Sequence, residues 1–271
     1  MKQADNDRLL SEPAYWFVFC KDELLLQKDD KNSTYSIPYG MNPPIQLEVW
    51  NTIHKLTPMS DGSACRTVSI PSPIIENDQF VMMGLRKSFE ILNREFYIKA
   101  GKASEILYWD STTKYCGVCG APMQLHTDIS KRCTNCGKEV WPQLATAIIV
   151  LVKRNDQILM VHAHNLKGNY YGLVAGFVET GETLEECVHR EVMEETGISI
   201  TNIRYFGSQP WPYPCGLMIG FFADYVAGNL HLQHSELAYG GWFSKDKLPA
   251  IPGKMSMARM LIDAWLEGKD K

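Results

Sequence analysis

The stretch from Gly176 to Ile198 reads GFVETGETLEECVHREVMEETGI, and few folds accommodate it. Thr183 followed by Glu186 has the S/T-x-x-E form of a capping box, so a helix is expected to start there. Leu184, Val188 and Val192 recur every four residues and supply a stripe to bury. Gly197 stands where a left-handed C-cap belongs. Off the stripe, Glu191, Glu194 and Glu195 fall within five residues, spaced to share one helix face. Like charges at such spacings cost roughly 0.2–0.5 kcal/mol per pair on an isolated helix. A helix carrying them either faces water or surrounds a cation. Arg190, four residues before Glu194, is placed to orient that carboxylate. Upstream, Tyr171–Phe177 (YGLVAGF) predicts a strand entering a glycine turn, and the loop that follows carries Glu182. Strand, loop and acidic helix together make a rim of oxygen ligands. Such a rim suits Mg²⁺ or Mn²⁺, which keep several waters and meet substrate phosphates.

Eleven residues after Gly197 the chain reads SQPWPYPC, from Ser208 to Cys215. Pro210, Pro212 and Pro214 alternate with Trp211 and Tyr213. This is a stiff, extended segment with little conformational freedom to lose. Its aromatics stand ready to stack on flat rings at low entropic cost, or simply belong to a surface loop.

Cys116-Gly-Val-Cys119 and Cys133-Thr-Asn-Cys136 are separated by thirteen residues. Two such knuckles predict a Cys₄ zinc ribbon holding one Zn²⁺ per chain, with Gly120 and Gly137 turning amides toward sulfur. A closed four-thiolate site leaves no open coordination position, so this zinc is expected to be structural. Disulfides or a redox pair are the competing readings. The polar, mixed-charge start MKQADNDRLL is unlike a signal peptide, and a reducing compartment disfavours disulfides. Cys20, Cys65, Cys187 and Cys215 are scattered and read as packed thiols.

At 271 residues the chain has room for two domains with their own cores. A formal net charge of −4 argues against an electrostatic nucleic-acid clamp. No run of about 18 apolar residues suggests a membrane span, and a cytoplasmic protein is expected. We divide the chain into an N-terminal α+β domain (1–112), a zinc ribbon (113–141) and a catalytic domain (142–271). In the first, Tyr15–Cys20, Leu24–Leu26, Val68–Ile70 and Phe80–Met83 predict strands. KDDKNSTYSIPYG reads as a loop, and Leu85–Trp109 as helix interrupted near Gly101. In the last, Ala145–Val152 and Gln157–Ala163 predict a hairpin around KRND. Gly216–Ala227 predicts another strand and Lys254–Leu266 a closing helix. His162 and His164 read as structural or surface residues.

The segment Gly176–Ile198 resembles the Nudix box, G-x5-E-x7-R-E-U-x-E-E-x-G-U, with Gly176, Glu182, Arg190, Glu191, Val192, Glu194, Glu195, Gly197 and Ile198 at its fixed positions. The proline-aromatic string is similar to the S-Q-P-W-P-F-P-x-S signature of the NADH pyrophosphatase subfamily, whose members also carry a zinc ribbon. Tyr213 stands for Phe, and Gly216 replaces the final Ser and its hydroxyl. The resemblance implies an α+β fold: a Nudix α/β/α sandwich with a mixed sheet, after a ribbon and an N-terminal α+β domain. It implies Mg²⁺- or Mn²⁺-dependent hydrolysis of the pyrophosphate of NAD(H), of an NAD cap on RNA, or of both. Glu191, Glu194 and Glu195 are the implied catalytic metal ligands. Glu182 gives outer-sphere support, and the Ala175 carbonyl and Glu236 complete the shell unless Glu236 is an ordinary loop acid. Glu194 or Glu195 is expected to act as base or ligand.

The implied substrate contacts are Arg86, Asp128, Trp141, Phe177, Gln209, Pro210, Trp211, Pro212, Tyr213, Pro214, Cys215, Gly216 and Ala258. Arg86 reads equally as a surface ion pair. Trp141 and Phe177 either sandwich a base or nicotinamide or are core aromatics. Subfamily members are homodimers, so a homodimer is implied. Lys114, Lys131, Arg132 and Lys138 give the ribbon a local positive bias that guides RNA or offsets thiolate charge. Two rival readings are a broader hydrolase of ADP-ribose or dinucleoside polyphosphates, and a nucleotide-sensing module without catalysis.

Overall fold

The computed structural model describes residues 11–29, 34–164 and 168–270. The MKQADNDRLL start and part of the KDDKNSTYSIPYG loop lie outside them. The chain forms two compact units, one of residues 1–143 with Pro212–Cys215, the other of residues 144–211 and 216–271. Among the described residues no helix is long and apolar enough to cross a membrane.

The second unit is built on strands whose two faces are both apolar. β11 (Ala145–Arg154) runs ATAIIVLVKR, and alternate side chains of a strand point to opposite faces. Ile148, Val150 and Val152 pack with Cys187, Val188 and Val192 of helix α3 (Leu184–Thr196). Ile149 and Leu151 pack with Leu261, Ile262 and Trp265 of helix α4 (Met257–Leu266). Each fully buried side chain of this kind contributes about 1.5–3 kcal/mol. The sheet therefore lies between two helices, which is the α/β/α sandwich expected. Its strand order is β14 (Ser199–Trp211), β15 (Gly216–Ala227), β11, β12 (Gln157–Ala163), β16 (Leu237–Ser244), with β13 (Val174–Phe177) beside β11. β11 and β15 are parallel and the other pairs antiparallel, so the sheet is mixed.

Two predicted boundaries move. Lys153 and Arg154 pair with Ile158 and Gln157, so the hairpin turn shrinks to Asn155-Asp156, with Asn155 at φ 57°. Asn tolerates that left-handed conformation better than most residues. The closing helix starts at Met257 rather than Lys254, because Ser256 Oγ caps it by accepting the Arg259 N–H at 3.3 Å.

In the first unit the sheet runs β3 (Thr34–Ser36), β2 (Glu23–Asp29), β1 (Ala14–Cys20), β6 (Ala64–Ser69), β5 (His54–Leu56), with β4 (Tyr39–Gly40) on β1 and β7 (Phe80–Gly84) on β2. Trp16, Val18, Cys20, Leu25, Val68 and Ile70 form its core. The loop read from KDDKNSTYSIPYG thus contains two short strands, β3 and β4, which pair with β2 and β1. The helical stretch is broken at 89–93 rather than near Gly101. Helix α1 (Leu85–Ser88) is a single turn. Helix α2 (Arg94–Thr112) then runs uninterrupted through Gly101, started by Asn93, whose Oδ1 accepts the Phe96 N–H at 3.0 Å. A three-stranded ribbon follows, β8 (Met123–Thr127), β9 (Ser130–Cys133) and β10 (Glu139–Val140).

Candidate active site and zinc centre

The acidic helix is placed by the local signals its sequence carries. The Thr183–Glu186 capping box is complete, and Gly197 closes the helix at φ 69°. Val188 and Val192 are buried, Leu184 is partly buried, and Cys187 joins the stripe. With that face anchored, the Glu191 carboxylate lies against Gly176 of β13. A Cβ on Gly176 would push the Glu191 carboxylate out of its place, so glycine leaves that side chain its position.

Arg190 organises the rim. It bonds Glu182 through Nη2 at 2.6 Å and Nε at 2.9 Å, Glu191 through Nη1 at 2.8 Å, and Glu194 through Nη1 at 3.2 Å. Its Nη2 also donates to the Phe177 carbonyl at 3.0 Å. The spacing singled out Glu194 as its partner, but the tighter, two-point partner is Glu182. The Arg190 side chain and the Glu179 N–H hold the Glu182 carboxyl down at about 2.

Glu195 differs from its neighbours. It is 5 % exposed, and burial followed by repulsion from Glu191, Glu236 and Glu194 pushes its carboxyl up to about 8. Burial also raises Glu191, against the opposing pull of Arg190. Glu236 lies in the turn before β16 and belongs to this electrostatic cluster, although 41 residues separate it from Glu195 in sequence. A buried carboxyl surrounded by other carboxyls fits a divalent cation, which reverses the repulsion. Among the described residues only the four ribbon cysteines bring their ligand atoms within 4.8 Å of one another, so the carboxylates are neighbours without that convergence.

The remaining predicted contacts divide by unit. In the second, Phe177 is 66 % exposed, which rules out a core role. Ala258 is buried in the first turn of α4, and Ala175 pairs with Ile149. Gln209 Nε2 donates to the Met255 carbonyl at 2.6 Å, while its Oε1 is buried without a partner among the described residues. Pro210 and Trp211 continue β14, and Trp211 pairs with Gly216. A Cβ on Gly216 would lie 3.0 Å from the Trp211 carbonyl oxygen, so glycine suits this register where the signature has Ser.

In the first unit, Trp141 is 53 % exposed, again not a core aromatic, and Asp128 is an exposed turn residue. Arg86 is not merely a surface ion-pair residue, because its guanidinium stacks 4.3 Å from the Tyr213 ring centroid. Pro212, Tyr213, Pro214 and Cys215 group with this unit. Sequence reasoning missed Tyr97, whose hydroxyl lies 2.7 Å from that of Tyr213. No spacing rule links residues 116 positions apart.

The four ribbon sulfurs converge, with Cys116–Cys136 at 3.6 Å and Cys119–Cys133 at 3.4 Å. Tetrahedral zinc with thiolate ligands places sulfurs about 3.8 Å apart, so the quartet fits the ion. The N–H of Val118 donates to Cys116 Sγ, and those of Asn135 and Cys136 donate to Cys133 Sγ, each at 3.4 Å. Amides of this kind lower the Cys116, Cys119 and Cys133 thiols below the ordinary range. Lys131 does not join a free basic face. It is 4 % exposed, and its Nζ bonds Asp110 Oδ1 at 2.7 Å and the carbonyls of Asp110 and Thr113. Burial alone would raise Asp110, but His54, whose Nε2 lies 3.4 Å away, and the bonded Lys131 hold its carboxyl at about 2. Lys131 thus ties β9 to the end of α2.

Three family models match this chain in succession. The model of the NUDIX domain matches residues 142–264, that of the NADH pyrophosphatase-like rudimentary NUDIX domain residues 13–109, and that of the NADH pyrophosphatase zinc ribbon domain residues 111–140. A NAD-capped RNA hydrolase NudC of Haemophilus influenzae (strain PittGG) is 43 % identical over 71 % of this chain and 74 % of its own. The NAD-capped RNA hydrolase NudC of Vibrio cholerae is 35 % identical over 93 % of this chain and 90 % of its own. A NUDIX hydrolase of Nitrosomonas europaea, of solved structure, shares the fold at a TM-score of 0.50, with 19 % identity over 58 % of this chain and 92 % of that one. The matching family models and relatives identify the chain as a pyrophosphate-bond hydrolase. The chain belongs to the NUDIX hydrolase family, in the branch whose members join a rudimentary NUDIX domain and a zinc ribbon to the NUDIX domain.

Proposed function

We propose that this protein hydrolyses the pyrophosphate of NAD(H), giving AMP and NMN or NMNH, and removes NAD caps from RNA by the same chemistry. The observation that carries the reading is Glu195, 5 % exposed and set among the charges of Glu191, Glu236 and Glu194, a placement that a bound divalent cation would favour in its ionised form. Glu191, Glu194, Glu195 and Glu236, with the Ala175 carbonyl, would hold Mg²⁺ or Mn²⁺. Such an ion neutralises phosphate oxygens and lowers the pKa of a water. Arg190 keeps Glu191 and Glu194 oriented and, through Glu182, fixes the loop before α3. Glu194 is half exposed and has the longest contact of the three acids that Arg190 bonds, which suits proton transfer from the attacking water.

Trp141 and Phe177 are exposed aromatics suited to stacking on a base or nicotinamide. Arg86, Asp128, Ala258 and the Gln209–Gly216 segment are the further contacts we assign to substrate. The reading includes a homodimer and a reducing, cytoplasmic setting in which ribbon thiolates stay available to Zn²⁺. The names of the NudC relatives support NAD-capped RNA as a substrate.

The test is purified protein with Mg²⁺ or Mn²⁺, given NADH, NAD⁺, ADP-ribose, diadenosine polyphosphate and NAD-capped RNA, with products separated chromatographically. AMP from NADH and 5′-monophosphate RNA from the capped transcript are expected. Equal rates on every diphosphate would remove the NAD(H) assignment, and release from none would remove the hydrolase reading.

A further inference from the structure

Residues Pro212–Cys215 form the turn between β14 and β15, yet they group with the N-terminal unit. Their contacts in that unit include three that are specific to these side chains. The hydroxyls of Tyr97 and Tyr213 lie 2.7 Å apart. The Arg86 guanidinium covers the Tyr213 ring at 4.3 Å. Gly101 faces Pro212 so closely that an added Cβ would meet Pro212 Cγ at 3.0 Å. Tyr97 and Gly101 are four apart on α2 and so share one helix face. That face is shaped for the turn, with a glycine where the proline ring sits and a tyrosine where the phenol ends.

Tyr97 is itself held in place. It is 8 % exposed, the Phe89 ring meets it edge-on at 5.1 Å, and its N–H donates to the Asn93 carbonyl at 3.0 Å. The subfamily signature has Phe where Tyr213 stands, and phenylalanine offers no hydroxyl. The Tyr97–Tyr213 pair is therefore an addition to the signature rather than part of it.

We infer that Tyr97 is a positioning residue for the substrate segment. Its hydroxyl sets the place of Tyr213 within the Pro212–Cys215 turn. The inference rests on the assignment of Gln209–Gly216 to substrate in the preceding section. It gives the rudimentary NUDIX unit a role in substrate recognition that needs no carboxylate cluster of its own.

The experiment compares wild type, Y97F, Y213F and the double variant in NADH hydrolysis, with amide hydrogen exchange of residues 208–216 measured in parallel. Y115F, at an exposed tyrosine outside the segment, serves as the control. Phenylalanine keeps the ring and removes only the hydroxyl, so Y97F is expected to remain folded. Losing a buried hydrogen-bond partner should raise KM for NADH about tenfold in Y97F while kcat stays within about twofold. Exchange at Tyr213, Cys215 and Gly216 should quicken. The double variant should cost less than the product of the two single effects, because both remove one shared bond. Y115F should match wild type in both measurements. The inference is overturned if Y97F lowers the melting temperature but leaves KM and exchange at wild-type values, or if the two single effects simply multiply. If wild type itself fails to hydrolyse NADH, the functional reading falls. The exchange data then decide the positioning role of Tyr97 on their own.

Discussion

Arg190 grips Glu182 at two points, Nη2 to Oε1 at 2.6 Å and Nε to Oε2 at 2.9 Å, across eight residues of sequence. The remaining Nη1 reaches Glu191 and Glu194. One guanidinium thus joins the loop before α3 to two acids on it, and its planar fork is what makes the double contact possible.

Arg190→Lys should therefore fail despite keeping the charge. An ammonium is a point donor that cannot satisfy both Glu182 oxygens while reaching Glu191. Loss of support for metal ligands typically costs about 10–100-fold in activity or metal affinity. Steady-state hydrolysis with Mg²⁺ titration checks this, and a lysine variant at wild-type turnover would show that charge alone suffices.

Glu195→Gln should lower turnover by about two orders of magnitude or more and leave the fold intact. At neutral pH the variant should even melt slightly higher, because it removes a buried acid repelled by Glu191, Glu236 and Glu194. Activity and thermal melting, read together, separate this from a variant that merely unfolds.

Removing zinc should unfold the ribbon first. Metal analysis of the wild type should give one equivalent of zinc, and Cys119→Ser should abolish it and lower thermal stability, since a structural zinc site contributes folding free energy directly. A variant with full zinc content would point to another ligand set.

Lys131→Met leaves Asp110 with His54 alone, whose Nε2 is 3.4 Å away. Breaking a buried pair costs about 3–5 kcal/mol, and the partial exposure of Asp110 discounts that to about 2–3 kcal/mol. Urea denaturation measures it. A change below about 0.5 kcal/mol would mean that the tie between ribbon and helix is dispensable.

Glu105 should make stability depend on pH. Burial pushes its carboxyl up to about 7, against the pull of Lys102, and its Oε1 is buried without a hydrogen-bond partner among the described residues. The folded value lies above the unfolded one, so the favourable contribution is complete below about 4.5 and is lost as pH rises through about 7. Glu105→Gln should flatten this slope, raising melting temperature at pH 8 more than at pH 5. Parallel melting curves for the two proteins across that range would contradict it.

Much of the site was readable because its signals are local. The Thr183–Glu186 cap, the Val188–Val192 stripe and the Gly197 terminus are contacts within a few residues, and the cysteine knuckles carry their own turns. Composition failed where pairing decides: β3 and β4 lie in a polar stretch, and their partners β2 and β1 were needed to make them strands. Gly101 looked like a helix breaker because its use, contact with Pro212, is distant in sequence.

The sequence alone determined that residues 176–198 form a capped acidic helix beside a glycine turn, and that four cysteines form a ribbon. Both follow from hydrogen bonds and spacings inside short segments. Only the tertiary structure decided that Glu195 is the buried acid, that Glu236 joins it, that Lys131 is tied to Asp110, and that Tyr97 meets Tyr213. These depend on which distant segments pack together, since burial and long-range pairing arise from the whole sheet and its helices.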